Sequence, residues 1–101
     1  MEVTPVEVTA SGAWGSEEVF HTVEVPEGET CLVALYGTLG SDSEGSKSAE
    51  LIIGTTKLPP RAPNGITGLA HVGAGTIDVK LRRNNSTGSD SFTGHVYAVK
   101  M

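Results

Sequence analysis

The chain has no glutamine, one cysteine in 101 residues and only 5 % aromatic side chains. Each shortage excludes something. With Cys31 alone, no intrachain disulfide can staple the fold, so stability has to come from packing. Cys31 sits in the apolar run Cys31-Leu32-Val33-Ala34-Leu35-Tyr36, with Glu27 and Glu29 the nearest charges in sequence. A reactive thiol wants positive charge beside it, so a small buried thiol is expected instead. The longest apolar run is far too short for a bilayer-spanning helix, and no membrane partner is expected. The start, Met1-Glu2-Val3-Thr4-Pro5, has neither the basic nor the apolar region of a secretory signal. The expectation is an intracellularly made, soluble protein, not one secreted by a signal peptide.

Positive charge is scarce in the first half. Residues 1–50 hold ten acids and one base, Lys47, a net of −9. Residues 51–101 hold two acids, Asp78 and Asp90, and six bases, a net of +4. The total of −5 argues against a general nucleic-acid binder. If the two halves formed opposite faces, copies could pack acid to base. In an interleaved fold the same charges simply coat solvated strands.

What is abundant is glycine (13 residues), serine (nine), valine and threonine. That is the composition of short strands joined by glycine-rich turns. With 38 % hydrophobic and 19 % charged residues the balance is globular. The length fits one domain spanning residues 1–101 and a modest core.

Alternation at period two marks the strands. In Gly75-Thr76-Ile77-Asp78-Val79-Lys80-Leu81-Arg82 the apolar residues face one side and the polar residues the other. Residues 19–25 place Val19, His21, Val23 and Val25 in one register, and Val6 and Val8 open another strand after Pro5. Residues 92–101 set Phe92, Val96 and Ala98 against Thr93, His95, Tyr97 and Val99. Residues 31–37 and 50–57 are more continuously apolar, as central strands are, and 66–72 is a weaker strand with Gly68 as a candidate bulge. The expected inward set is Val6, Val8, Val23, Val25, Val33, Leu35, Leu51, Ile53, Ile77, Val79, Leu81, Val96 and Ala98. Turn chemistry agrees, with Val25-Pro26-Glu27-Gly28-Glu29-Thr30 and Val72-Gly73-Ala74-Gly75-Thr76 as tight connections. Loops are expected at 40–48, 83–91 and 58–65, the last stiffened by Pro59, Pro60 and Pro63. Seven to eight short antiparallel strands and no helix predict an all-β chain, a single β-sandwich of jelly-roll type.

Chemistry is thin. No nucleophile elbow, phosphate loop or metal-ligand spacing occurs, so no enzyme activity, cofactor or metal is expected. His21, His71 and His95 fall on separate strands, and whether they converge is open at this level. Asp42-Ser43-Glu44-Gly45 lacks the later carboxylates of a calcium loop. Asn84-Asn85-Ser86-Thr87 holds two overlapping glycosylation sequons, read here as turn-forming polar residues. Trp14, between Gly12-Ala13 and Gly15-Ser16, is either a plug over the core or an interface anchor, the plug being favoured. Lys80, Arg82 and Arg83 form a basic cluster suited to a rim contact or a solvated edge.

The turn Val25-Pro26-Glu27-Gly28-Glu29-Thr30, the strand Gly75-Thr76-Ile77-Asp78-Val79-Lys80-Leu81 and the closing Phe92-Thr93-Gly94-His95-Val96-Tyr97-Ala98-Val99 resemble small β-sandwich structural proteins of tailed phages. Those are capsid decoration (cement) proteins and tail-fibre or head-fibre domains. The resemblance implies a virion component, a trimer or other symmetric oligomer, contacting a major capsid or tail protein, with no catalytic residues. Partner contacts are then expected at Pro59, Pro60, Arg61 and Pro63, and at Trp14, Arg82 and Arg83. The N-terminal residues 1–5 are a further attachment candidate, while the mobile 40–48 loop should face solvent. The competing expectation is a carbohydrate-binding sandwich stacking sugars on Trp14, Tyr36 or Tyr97, which the shortage of rings weakens.

Overall fold

The computed structural model describes residues 5–40, 47–61, 64–86 and 88–101. Among the described residues eight strands follow one another: β1 (Val6–Ala13), β2 (Glu17–Val25), β3 (Cys31–Leu39), β4 (Ala49–Ile53), β5 (Thr56–Lys57), β6 (Ile66–Val72), β7 (Gly75–Arg83) and β8 (Ser89–Lys100). They form two four-stranded antiparallel sheets, β1-β8-β3-β6 and β2-β7-β4-β5, packed face to face. Every connection except the β4–β5 hairpin carries the chain from one sheet to the other. The pairings nest: β1 with β8, β2 with β7, β3 with β6 and β4 with β5.

The core lies between the sheets and follows strand alternation. Val33 and Leu35 from β3, Leu51 and Ile53 from β4, Val79 and Leu81 from β7, and Phe92 and Val96 from β8 are all buried. Ten residues of the expected inward set are buried, and an eleventh, Ile77, is half-buried against the core. The remaining two differ. Val6 is 47 % exposed because it opens β1 at the sheet edge, and Ala98 is exposed because β8 runs past the start of β1 there.

Three local readings are also corrected. Residues 50–57 are not one strand. Gly54, at φ 63, turns the chain back so that Ile53 pairs with Thr56. In β2 the register against β7 shifts between Val19 and His21, leaving Phe20 as the extra residue. Val19 is thereby 50 % exposed, while Phe20 turns to the core and meets Phe92 at 5.1 Å between ring centroids. Gly68 is no bulge, since Leu35 to Gly68 is an ordinary step of the β3–β6 ladder. A Cβ there would collide with Leu51 and Leu58, so the missing side chain is space those leucines fill.

Phe92 needs a similar vacancy. Gly37 and Gly94 stand opposite each other on β3 and β8, and a Cβ on either would crowd the fully buried Phe92 ring. Gly37→Ala is expected to lower unfolding free energy by about 1–3 kcal/mol, the range for an overpacked core methyl. Gly73→Ala, with nothing within 4 Å of the added carbon, should change it little. Denaturant midpoints of the two variants provide the check, and equal midpoints would contradict the packing argument.

Candidate functional site

The two outward faces of the sandwich differ in kind, and register shows why. On the β2-β7-β4-β5 sheet the residues that alternate away from the core include Glu17, Glu24, Asp78, Lys80, Arg82, Glu50 and Lys57. Acids and bases neighbour one another across strands there. Glu17 pairs with Arg82, which pairs with Glu50. The Lys80 ammonium also lies 3.8 Å from the Glu17 carboxylate. That contact is a weak, exposed ion pair, while Glu50 is half-buried with its Oε1 unpartnered among the described residues. Ile52, between Lys80 and Lys57 in the ladder, is the buried exception, placed where long lysine stems cover apolar carbon.

The β1-β8-β3-β6 sheet turns a different set outward. Alternation and pairing place Tyr36 beside His95 and Thr67, Ala34 beside Tyr97 and Leu69, and Leu32 beside Val99 and His71. Glu7, at the edge strand β1, lies next to His95, and Thr9 next to Thr93. Glu7 is the one carboxylate or ammonium on this face among the described residues. Tyr36 is 58 % exposed, Leu69 57 % and Tyr97 37 %, so three of the six large hydrophobic side chains exposed among the described residues project from this one surface. Beside Tyr36 a shallow depression of about 300 Å³ is lined by Glu7, Gly37, Thr38, Thr93, Gly94 and His95. Chemically the face offers aromatic and aliphatic contact, hydroxyls and two imidazoles.

The residues singled out from sequence do not gather in one place. Trp14 is buried in the core cluster, with its backbone N–H donated to Gly88 and the Lys47 ammonium 5.4 Å from the ring centroid. It is the plug, not an exposed anchor, and it leaves the sugar-stacking set. Arg83 is buried too, because β7 alternates Val79, Leu81 and Arg83 inward. Its guanidinium pairs with Glu18, whose position opposite Leu81 on β2 also faces in. As expected surface contacts, Trp14 and Arg83 are therefore corrected. Arg82 does face outward and is exposed.

Pro59, Pro60 and Arg61 are exposed, and the Arg61 backbone exchanges two hydrogen bonds with Ala49, at 2.8 and 2.9 Å, along the edge of β4. Pro63 lies outside the described residues, as do residues 1–4, most of the 40–48 loop with its Asp42-Ser43-Glu44-Gly45 segment, and Thr87 of the sequons. His71 and His95 share the charge-poor face, two strands apart, while His21 belongs to the opposite sheet. Among the described residues no three His, Cys, Asp or Glu side chains come together as a metal site. Sequence reading missed the charge-poor face as a unit, although the signal was there: Leu32, Ala34, Tyr36, Leu69, Tyr97 and Val99 occupy the positions between core residues. Comparison of the chain with protein-family models, curated proteins and solved structures gave no match.

Proposed function

We propose that this protein is a non-catalytic jelly-roll component of a virion, a capsid decoration or fibre domain that works by contact between repeated subunits. Supporting the jelly-roll reading is the nesting of β1 with β8, β2 with β7, β3 with β6 and β4 with β5. That is one long antiparallel hairpin rolled up, an architecture common to viral capsid and lectin domains. The observation that carries the contact reading is the inequality of the two outer faces. One is dense with charge, and the other exposes Tyr36, Leu69 and Tyr97 with Glu7 as its one formal charge among the described residues. Exposed apolar side chains gathered on one face with little charge suit an interaction surface. Pro59, Pro60, Arg61 and Arg82, exposed on other parts of the surface, are the candidate contacts to a major capsid or tail protein.

The test is fractionation of particles from cells that make the protein, followed by quantitative mass spectrometry. The chain is expected at a fixed copy number per particle. Its presence in the soluble fraction together with absence from particles would overturn the reading.

A second reading is favoured by one feature. Tyr36 and Tyr97 project from adjacent strands of the same face, beside the Thr38, Thr93 and His95 depression, an arrangement on which a sugar ring can stack. A glycan array decides it: selective binding lost in Tyr36→Ala would make the domain a lectin.

A further inference from the structure

We infer that the outer face of the β1-β8-β3-β6 sheet is covered by a second copy of the same chain. This deepens the contact reading above and rests on its choice of surface, but names the occupant. The first ground is charge. When a surface packs on its own image across a two-fold axis, each charged group must find an opposite charge on the other copy or is buried without a partner, at a cost of several kcal/mol. Copies of net charge −5 also repel one another, so a face nearly free of formal charge is where self-association costs least. Sheet β2-β7-β4-β5 would have to match Glu17, Arg82, Glu50, Lys80 and Lys57 across the seam. Sheet β1-β8-β3-β6 carries Glu7 alone among the described residues, and at the edge.

The second ground is area. Four strands about 4.8 Å apart, over about seven residues rising ~3.3 Å each, give a flat footprint of about 440 Å². That is within about a factor of two of the ~800 Å² of accessible surface each partner buries in a standard interface. The Tyr36 and Tyr97 rings and the Leu69 side chain, all projecting from the footprint, raise the accessible area above the flat value. Shape agrees as well. Pleated sheet faces pack on one another about 10 Å apart, with side chains of the two surfaces interleaved. Tyrosine suits such a seam, because its ring supplies apolar area while its hydroxyl can still hydrogen-bond, and Thr67 and His95 occupy the adjoining ladder positions.

Sedimentation velocity and native mass spectrometry of the purified chain, from nanomolar to tens of micromolar, test this directly. The wild-type chain is expected as a closed oligomer. Leu69→Glu should weaken self-association on the order of a hundredfold, by burying a carboxylate in the seam. Val19→Glu, on the outer face of the other sheet at a position 50 % exposed, should leave it unchanged. Circular dichroism confirms that each variant folds, and Tyr36→Ser replaces Leu69→Glu if the latter does not. A wild-type chain that stays monomeric throughout overturns the inference, and so does an oligomer that ignores Leu69→Glu and Tyr36→Ser. Glycan binding by a monomer also overturns it, by naming a different occupant. If the chain is monomeric yet present at fixed copy number in particles, the self-contact fails and the virion reading stands. If an oligomer is lost in Leu69→Glu but the chain is absent from particles, the self-contact stands and the virion reading fails.

Discussion

Val33→Asp is expected to leave the chain without a cooperative thermal transition, while Tyr36→Asp on the same strand keeps one. Val33 is fully buried on β3, the strand flanked on both sides by β8 and β6. Its cross-strand neighbours are Ala98 and Ala70, neither of which offers a charge or a hydrogen bond to a carboxylate. Removing the valine forfeits roughly 2 kcal/mol of burial, and an unpaired carboxylate in that position costs several more. A domain of this size is held by only about 5–15 kcal/mol, so the sum consumes most of it. Tyr36, three residues on, points to the opposite face and is 58 % exposed, so an aspartate there stays in water in the separated chain. Thermal melts followed by circular dichroism make the comparison. A sharp transition in Val33→Asp within a few degrees of the parent would mean the two sheets do not pack as described.

That pair of residues also shows what the sequence made legible. Alternation places Val33 and Tyr36 on opposite faces without any structure, because a strand has period two whatever it pairs with. The same logic found Val79 and Leu81 on β7 and Val96 on β8. It failed where the period breaks. The extra residue at Phe20 reverses the facing of Val19, and only the ladder with β7 reveals it. Gly54 could be read as a strand interior or a turn from composition alone, and its positive φ decides for the turn. Arg83 was misplaced by residue type, since a guanidinium is nearly always on the surface, although its spacing from Val79 and Leu81 points inward. The candidate site was the least legible part. Tyr36, Leu69 and Tyr97 lie on three strands whose adjacency depends on long-range pairing, and nothing in local spacing brings them together.

The buried ion pair predicts an asymmetry between its two members. Arg83 exposes none of its side chain, whereas Glu18 keeps 27 % of its own accessible. Only one guanidinium nitrogen, Nη1, meets Glu18. Nε and Nη2 have no partner among the described residues, and neither does the buried Trp14 Nε1. Taking a cation out of water costs several kcal/mol, and a single carboxylate recovers that only when the other donors are satisfied too. Deleting Glu18 therefore leaves a wholly buried charge with nothing opposite it. Glu18→Ala is expected to destabilise the domain by about 3 kcal/mol, the lower end of the range for breaking a buried pair, because Glu18 itself is partly hydrated. Deleting the arginine has the opposite character. In Arg83→Met a flexible apolar chain fills most of the same space, and the stranded Glu18 carboxylate turns to the water it already touches. Arg83→Met should be neutral or should raise the unfolding free energy by about 1 kcal/mol, and Glu18→Ala in that background should cost little. Chemical denaturation of the two single variants and the double variant reads all three values in one cycle. If Arg83→Met proves as damaging as Glu18→Ala, the guanidinium is satisfied by groups beyond Glu18, and the pair is a net source of stability.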